Sequence, residues 1–122
     1  MDARLVRQAV VNVAANAAQA MARGGRITVR TLRDGDAAVV ELEDDGPGIP
    51  EEVRGRIFEP FFTTKATGTG LGLAVVRRIV EGHGGTVQVR PGPGAGTVFA
   101  LRFPLPPVPV EKRPGMRGES AS

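Results

Sequence analysis

Three glycines at alternate positions, Gly68, Gly70 and Gly72 in TKATGTGLGLA, stand just before an apolar stretch with helical periodicity. Glycine lets backbone N–H groups approach a polyphosphate closely, and a helix beginning near Leu71 adds partial positive charge at its first turn. The run is neither a Walker loop nor a dinucleotide fingerprint, because Leu71 and Leu73 follow the glycines and Lys65 precedes them. On its own it reads equally as a phosphate cradle or as a flexible loop capping a helix. Asn12 and Asn16 lie one helical turn apart at the edge of an apolar stripe. Asparagine is a mediocre helix former, so the pair is either two tolerated boundary residues or a source of neutral oxygen ligands for Mg²⁺, an ion that prefers oxygen and bridges phosphates. In EDDGPGIP an ordinary turn explains Asp45-Gly46 but requires neither Asp44 nor Gly48. A buried ionised carboxylate only accepts hydrogen bonds, so Asp44 could bind the exocyclic amino group at the six position of adenine, which guanine lacks. FEPFF gathers three of the five phenylalanines, as core packing for some and as loop anchors for others.

These residues need elements to hold them. Asp2 is placed to cap a helix with apolar positions Val6, Val10, Val13, Ala17 and Ala20, ending at Gly24-Gly25. RITVRTL and AAVVELE flank Asp34-Gly35-Asp36 and predict an antiparallel hairpin that runs directly into DDGPGIP. Pro50 opens a short helix with Glu51 and Glu52 in its first turn, and IFEPFFTTK returns to irregular structure. Leu73, Val76, Ile79 and Val80 predict an amphipathic helix over 71–82, closed by GHGG. TVQVR and TVFALRF form a second hairpin around PGPGAG. The stretch from Pro104 to Ser122 holds five of the ten prolines and almost no periodicity, which predicts a disordered, proline-rich tail over 106–122.

With 122 residues the chain has room for one domain and one core. No apolar run approaches the ~20 residues a membrane span needs, no secretory signal opens the chain and there is no cysteine. A cytoplasmic chain is therefore expected, free-standing or the cytoplasmic part of a membrane-bound protein, without direct membrane contact of its own. The net charge of +3 does not point to nucleic acid: 14 of the 16 basic residues are arginines scattered along the chain, and no tyrosine or tryptophan is present for base stacking.

In order along the chain, Asn12 and Asn16, DDGPGI, FEPFFTTK, GTGLGLA and the GTVF of Gly96–Phe99 resemble the ATP-binding catalytic domain of sensor histidine kinases, across residues 1–105. The resemblance implies an α/β two-layer sandwich of the Bergerat type, a mixed, mostly antiparallel sheet covered on one face by helices. It implies ATP and Mg²⁺ as ligands, Asn16 as the metal ligand and Asn12 as its polar companion near the phosphates. Asp44 would recognise adenine, with Gly46, Gly48, Ile49 and Phe58 around the base and Thr97 near it. Lys65, Gly68, Thr69, Gly70, Leu71, Gly72 and Leu73 would form a lid that closes over the phosphates. Related chaperone and gyrase ATPases carry a water-activating glutamate where this chain has Asn12, which cannot act as a base near neutral pH, so slow hydrolysis and transfer to a protein histidine are expected.

The only histidine, His83, sits at a helix end in a capping or packing context, without the acid that follows the family's acceptor. The helical hairpin and first strand that usually precede the two asparagines are also missing, so a truncated domain is expected. Its partners would be a dimerisation domain carrying the acceptor histidine, in the same protein or in trans, and a response regulator. An ATP-dependent interaction module or an anti-sigma-type serine kinase relative is the alternative. A dinucleotide-binding oxidoreductase fails on the strand–glycine–helix spacing.

Overall fold

The computed structural model describes residues 2–21, 24–62 and 72–105. Lys65, Gly68, Thr69, Gly70 and Leu71, together with the tail expected over 106–122, lie outside the described residues.

The first helix, α1 (Ala3–Ala20), starts where Asp2 caps it: the carboxylate accepts from Arg4 N at 3.0 Å and Leu5 N at 3.4 Å. Its periodicity turns Ala9, Val13 and Ala17 into the core. The helix ends at Ala20, earlier than the glycine pair suggested, with the Met21 amide donating back to the carbonyls of Ala17 and Ala18.

The expected hairpin forms from β1 (Ile27–Asp34) and β2 (Ala37–Asp44), joined by two residues of which Gly35 has φ +59°. A four-residue helix α2 (Glu51–Arg54) follows Pro50 and leads into the phenylalanine cluster. The second long helix, α3 (Gly72–Gly82), buries Ala74, Val76, Ile79 and Val80. It leads to β3 (Thr86–Pro91) and β4 (Thr97–Pro104). The strands lie in the order β1-β2-β4-β3, and every pairing among the described residues is antiparallel. The parallel component of the expected mixed sheet has no counterpart among those residues.

Strand alternation gives the sheet two unlike faces. On one, Leu42, Phe99, Leu101 and Phe103 are buried with Val13 of α1 and Val76 and Val80 of α3. On the other, Glu41 pairs with Arg30 at 3.7 Å and with Arg90 at 3.2 Å. The Glu41–Arg90 pair reaches diagonally past Ala100, the small residue opposite Glu41 on β4. A charged ladder of this kind marks a solvated face, so the molecule is a helical layer on a sheet, the two-layer α/β sandwich expected.

Candidate nucleotide site

The helical layer does not close over the sheet where β2 ends. There a cavity of about 310 Å³ is lined by Asn16, Gln19 and Ala20 of α1, by Pro47–Pro50, by Val53, Ile57 and Phe62, and by Leu73 at the start of α3. That volume lies at the lower end of the range of small-molecule sites.

Each wall has a local cause. Asn16 and Gln19 follow the turn-by-turn spacing of α1, three residues apart, and so face the same way. The loop 45–50 is shaped by the aspartates before it. Asp44 Oδ1 accepts from Gly46 N at 2.9 Å and builds a local turn, while Asp45 Oδ1 accepts from Arg26 N at 2.8 Å and ties the loop to the residue before β1. Gly48 then takes φ +83°, and a Cβ there would lie 2.5 Å from the Ala95 carbonyl oxygen. Only glycine lets this loop pass so close to the β3–β4 connection. Gly96 obeys the same constraint from the other side, where an added Cβ would strike the Asp44 backbone carbonyl. Two glycine motifs far apart in sequence thus lock together behind the cavity.

Asp44 is 7% exposed and Thr97 is 4% exposed, and the two are register partners on β2 and β4. Among the described residues, Gly46 N is the one group that donates to the Asp44 carboxylate, and it reaches only Oδ1. A buried carboxylate with an acceptor oxygen to spare is chemically suited to a ligand amino group.

The asparagines part company. Asn16 lines the cavity, whereas both ends of the Asn12 amide are committed within the protein: Nδ2 donates to the Gly72 carbonyl at 3.2 Å and Oδ1 accepts from Gln8 Nε2 at 2.7 Å. Asn12 therefore ties α1 to the first residue of α3. The phenylalanines divide as well. Phe58 is buried in the core, edge-to-face with Phe99 at 6.1 Å, and is not among the cavity-lining residues. Phe61 is 75% exposed, and Phe62 lines the cavity with the Arg56 guanidinium 4.7 Å above its ring. Ile49, Gly48 and Leu73 line the cavity as the sequence suggested, while Thr97 lines a second cavity on the far side of the 47–50 loop. Gln19, Val53, Ile57 and Phe62 escaped the sequence reading. The helical spacing from Asn16 pointed to Gln19, whereas nothing local separates Phe62 from Phe58.

The chain matches, over residues 1–107, the family described as histidine kinase-, DNA gyrase B- and HSP90-like ATPases. It belongs to that family. It is 42% identical over 107 residues to the signal transduction histidine-protein kinase AtoS of Escherichia coli (strain K12), covering 87% of this chain and 18% of AtoS. The chain thus spans about a fifth of the length of the curated relatives it matches. It also resembles the solved structure of full-length ShkA in complex with AMPPNP, with a TM-score of 0.73 and 32% identity over 91% of this chain and 24% of that one. For the histidine kinase ThkA in complex with the response regulator protein TrrA the values are 0.70 and 35%, over 88% and 30% of the two chains.

Proposed function

We propose that the chain is the ATP-binding catalytic domain of a sensor histidine kinase, passing the γ-phosphoryl group of ATP to a histidine on a separate dimerisation domain. The observation that carries this reading is the buried carboxylate of Asp44 at the end of β2, with Oδ2 receiving no donor among the described residues. It stands just before the 47–50 wall of a cavity that Asn16 also lines, although neither Asp44 nor Gly46 is itself among the lining residues. Asp44 accepts from the adenine amino group, Gly46 and Gly48 keep the loop thin enough for the base to lie against it, and Ile49, Leu73 and Phe62 supply its apolar walls. Thr97, buried and the register partner of Asp44, lines the other cavity, so its part in the nucleotide site is confined to backing the strand end that carries Asp44.

Among the described residues no group of three or more His, Cys, Asp or Glu side chains could hold a metal by itself. Asn16 is the residue that would offer Mg²⁺ a neutral oxygen at this site, a ligand type that this ion accepts alongside phosphates. When bound, Mg²⁺ supplies charge neutralisation across the phosphates. The residues from Lys65 through Gly72 are assigned to the lid, with Lys65 a point charge for the terminal phosphate and Asn12 fixing where the lid joins α3. The nitrogen of an incoming imidazole attacks the γ-phosphorus as its bond to the β–γ bridging oxygen breaks, with ADP leaving. No carboxylate occupies position 12 to activate water, which keeps hydrolysis slow.

His83 is unsuited to be the acceptor. Its Nδ1 lies 2.7 Å from the Ile79 carbonyl, its Nε2 accepts from Asp2 N at 3.1 Å, and its ring packs edge-to-face on Phe103. Incubated alone with labelled ATP, the purified chain should bind nucleotide and acquire no phosphate. Addition of an acceptor domain carrying a histidine followed by an acid should yield acid-labile phosphate on that domain. Label on this chain, or acid-stable label on serine, would contradict the assignment. No helix among the described residues is long and apolar enough to cross a membrane. We place the reaction in the cytoplasm, with a response regulator as the final phosphoryl acceptor.

A further inference from the structure

The loop 47–50 has two sides. Its far side, with Arg54, Val89, Arg90, Pro91 and the 94–97 turn, encloses a second cavity of about 460 Å³, larger than the first. Its lining combines apolar Ile49, Val89 and the prolines with two arginines, and no acidic residue is among the described residues that line it. Arg90 is engaged by Glu41 on the sheet face, but Arg54 belongs to none of the ion pairs among the described residues. Its hydrogen bond is a long one, from Nε to the Ile49 carbonyl at 3.4 Å, although the residue is half-buried. A partly desolvated guanidinium without a carboxylate has its bidentate face to offer, which carboxylates and phosphates both match, and the apolar walls around it favour an anion that carries an organic body.

We propose that this second cavity is a binding site for a small organic carboxylate, its charge held by Arg54 with Arg90 beside it and its apolar body against Val89 and Ile49. Because Pro47, Gly48, Ile49 and Pro50 wall both cavities, the occupant bears on the loop that forms the nucleotide site. Occupancy of one cavity therefore alters affinity at the other. The carboxylate site itself does not rest on the nucleotide reading; only this linkage does.

Amide resonances of the isotopically labelled chain, titrated without nucleotide against benzoate, benzamide and inorganic phosphate, test the site directly. Benzoate should shift Arg54, Val89, Arg90 and Gly94–Thr97 saturably, and benzamide and phosphate should not. Arg54→Gln should weaken benzoate about tenfold or more, the loss of a charge-assisted pair, with resonances elsewhere unchanged. Arg90→Gln, should the first variant not fold, should weaken it by a smaller factor. Equal shifts with benzamide, equal shifts with phosphate, or benzoate binding that survives both substitutions would each overturn the site. With benzoate saturating, AMPPNP affinity should change at least threefold; an unchanged value, with both ligands bound, would overturn the linkage alone.

Discussion

Phe58 and Phe62 are both aromatic, four residues apart in one motif, and the structure gives them different work. Phe58 packs on Phe99 in the core, so Phe58→Ala should cost about 3–5 kcal/mol of stability, visible as a large fall in melting temperature. Phe62→Ala should leave the melting temperature much closer to the parent's while weakening AMPPNP binding, because its ring lines the cavity. The reverse ranking in paired thermal and calorimetric measurements would refute this division. Sequence could not supply it: the motif shows that aromatics cluster, but which of them points inward depends on the backbone path after α2. Asp44 stood out in the sequence because a turn at Asp45-Gly46 does not require it, but the structure gives it a local role as well, accepting from Gly46 N at 2.9 Å. Its burial opposite Thr97 was not readable, because it depends on the pairing of β2 with β4. Gly48 was legible as a glycine and not as a constraint until the Ala95 carbonyl came into view. Gly48→Ala should lower stability by about 1–2 kcal/mol for the left-handed backbone alone, more with the clash, and should weaken nucleotide binding at the same time. Full nucleotide affinity in that variant would mean that the loop tolerates displacement.

At the scale of elements, α3 is fastened to α1 at both of its ends. Asn12 holds the start of α3 at Gly72, and at the opposite end His83 accepts from the Asp2 amide while Asp2 caps α1. The Asp2 carboxyl is held below the usual carboxylate range, chiefly by the hydrogen bond from the Arg4 amide. A depressed folded-state pKa contributes stability that is fully present above the ordinary carboxylate range and is lost as pH falls through the lowered value. Asp2→Asn should therefore melt below the parent at neutral pH, with the gap narrowing as pH drops below the carboxylate range. A gap independent of pH would show that the charge is irrelevant and the cap alone matters. Helices and hairpins were readable from periodicity and turn residues, since α1, α3 and both strand pairs obey local rules. The tie between Asn12 and Gly72 was not, because it spans 60 positions and joins two residues that had each been assigned to phosphate.

At the scale of the molecule, a sheet with one charged face and one face under two helices leaves its functional opening where the helical layer stops, at the C-terminal end of β2. The sandwich was expected from the motif resemblance rather than from alternation, because β2 and β4 carry buried Val39 and Val98 on the same face as Glu41 and Arg90. Motif order supplied the family, and the register of β2 with β4 explains why motifs so far apart belong together: it sets Asp44 against Thr97 and the Gly96 backbone against the Asp44 carbonyl. The account stands on one arrangement, a base held by Asp44 and phosphates held through Asn16. Calorimetric titration of AMPPNP with and without Mg²⁺ on the parent, Asp44→Ala and Asn16→Ala tests it most directly. The account predicts that Asp44→Ala weakens binding roughly tenfold to a hundredfold in both conditions, the loss of a hydrogen bond to a buried charge. It also predicts that Asn16→Ala abolishes the gain in affinity that Mg²⁺ confers on the parent. Parent-like, Mg²⁺-dependent binding in both variants would contradict it.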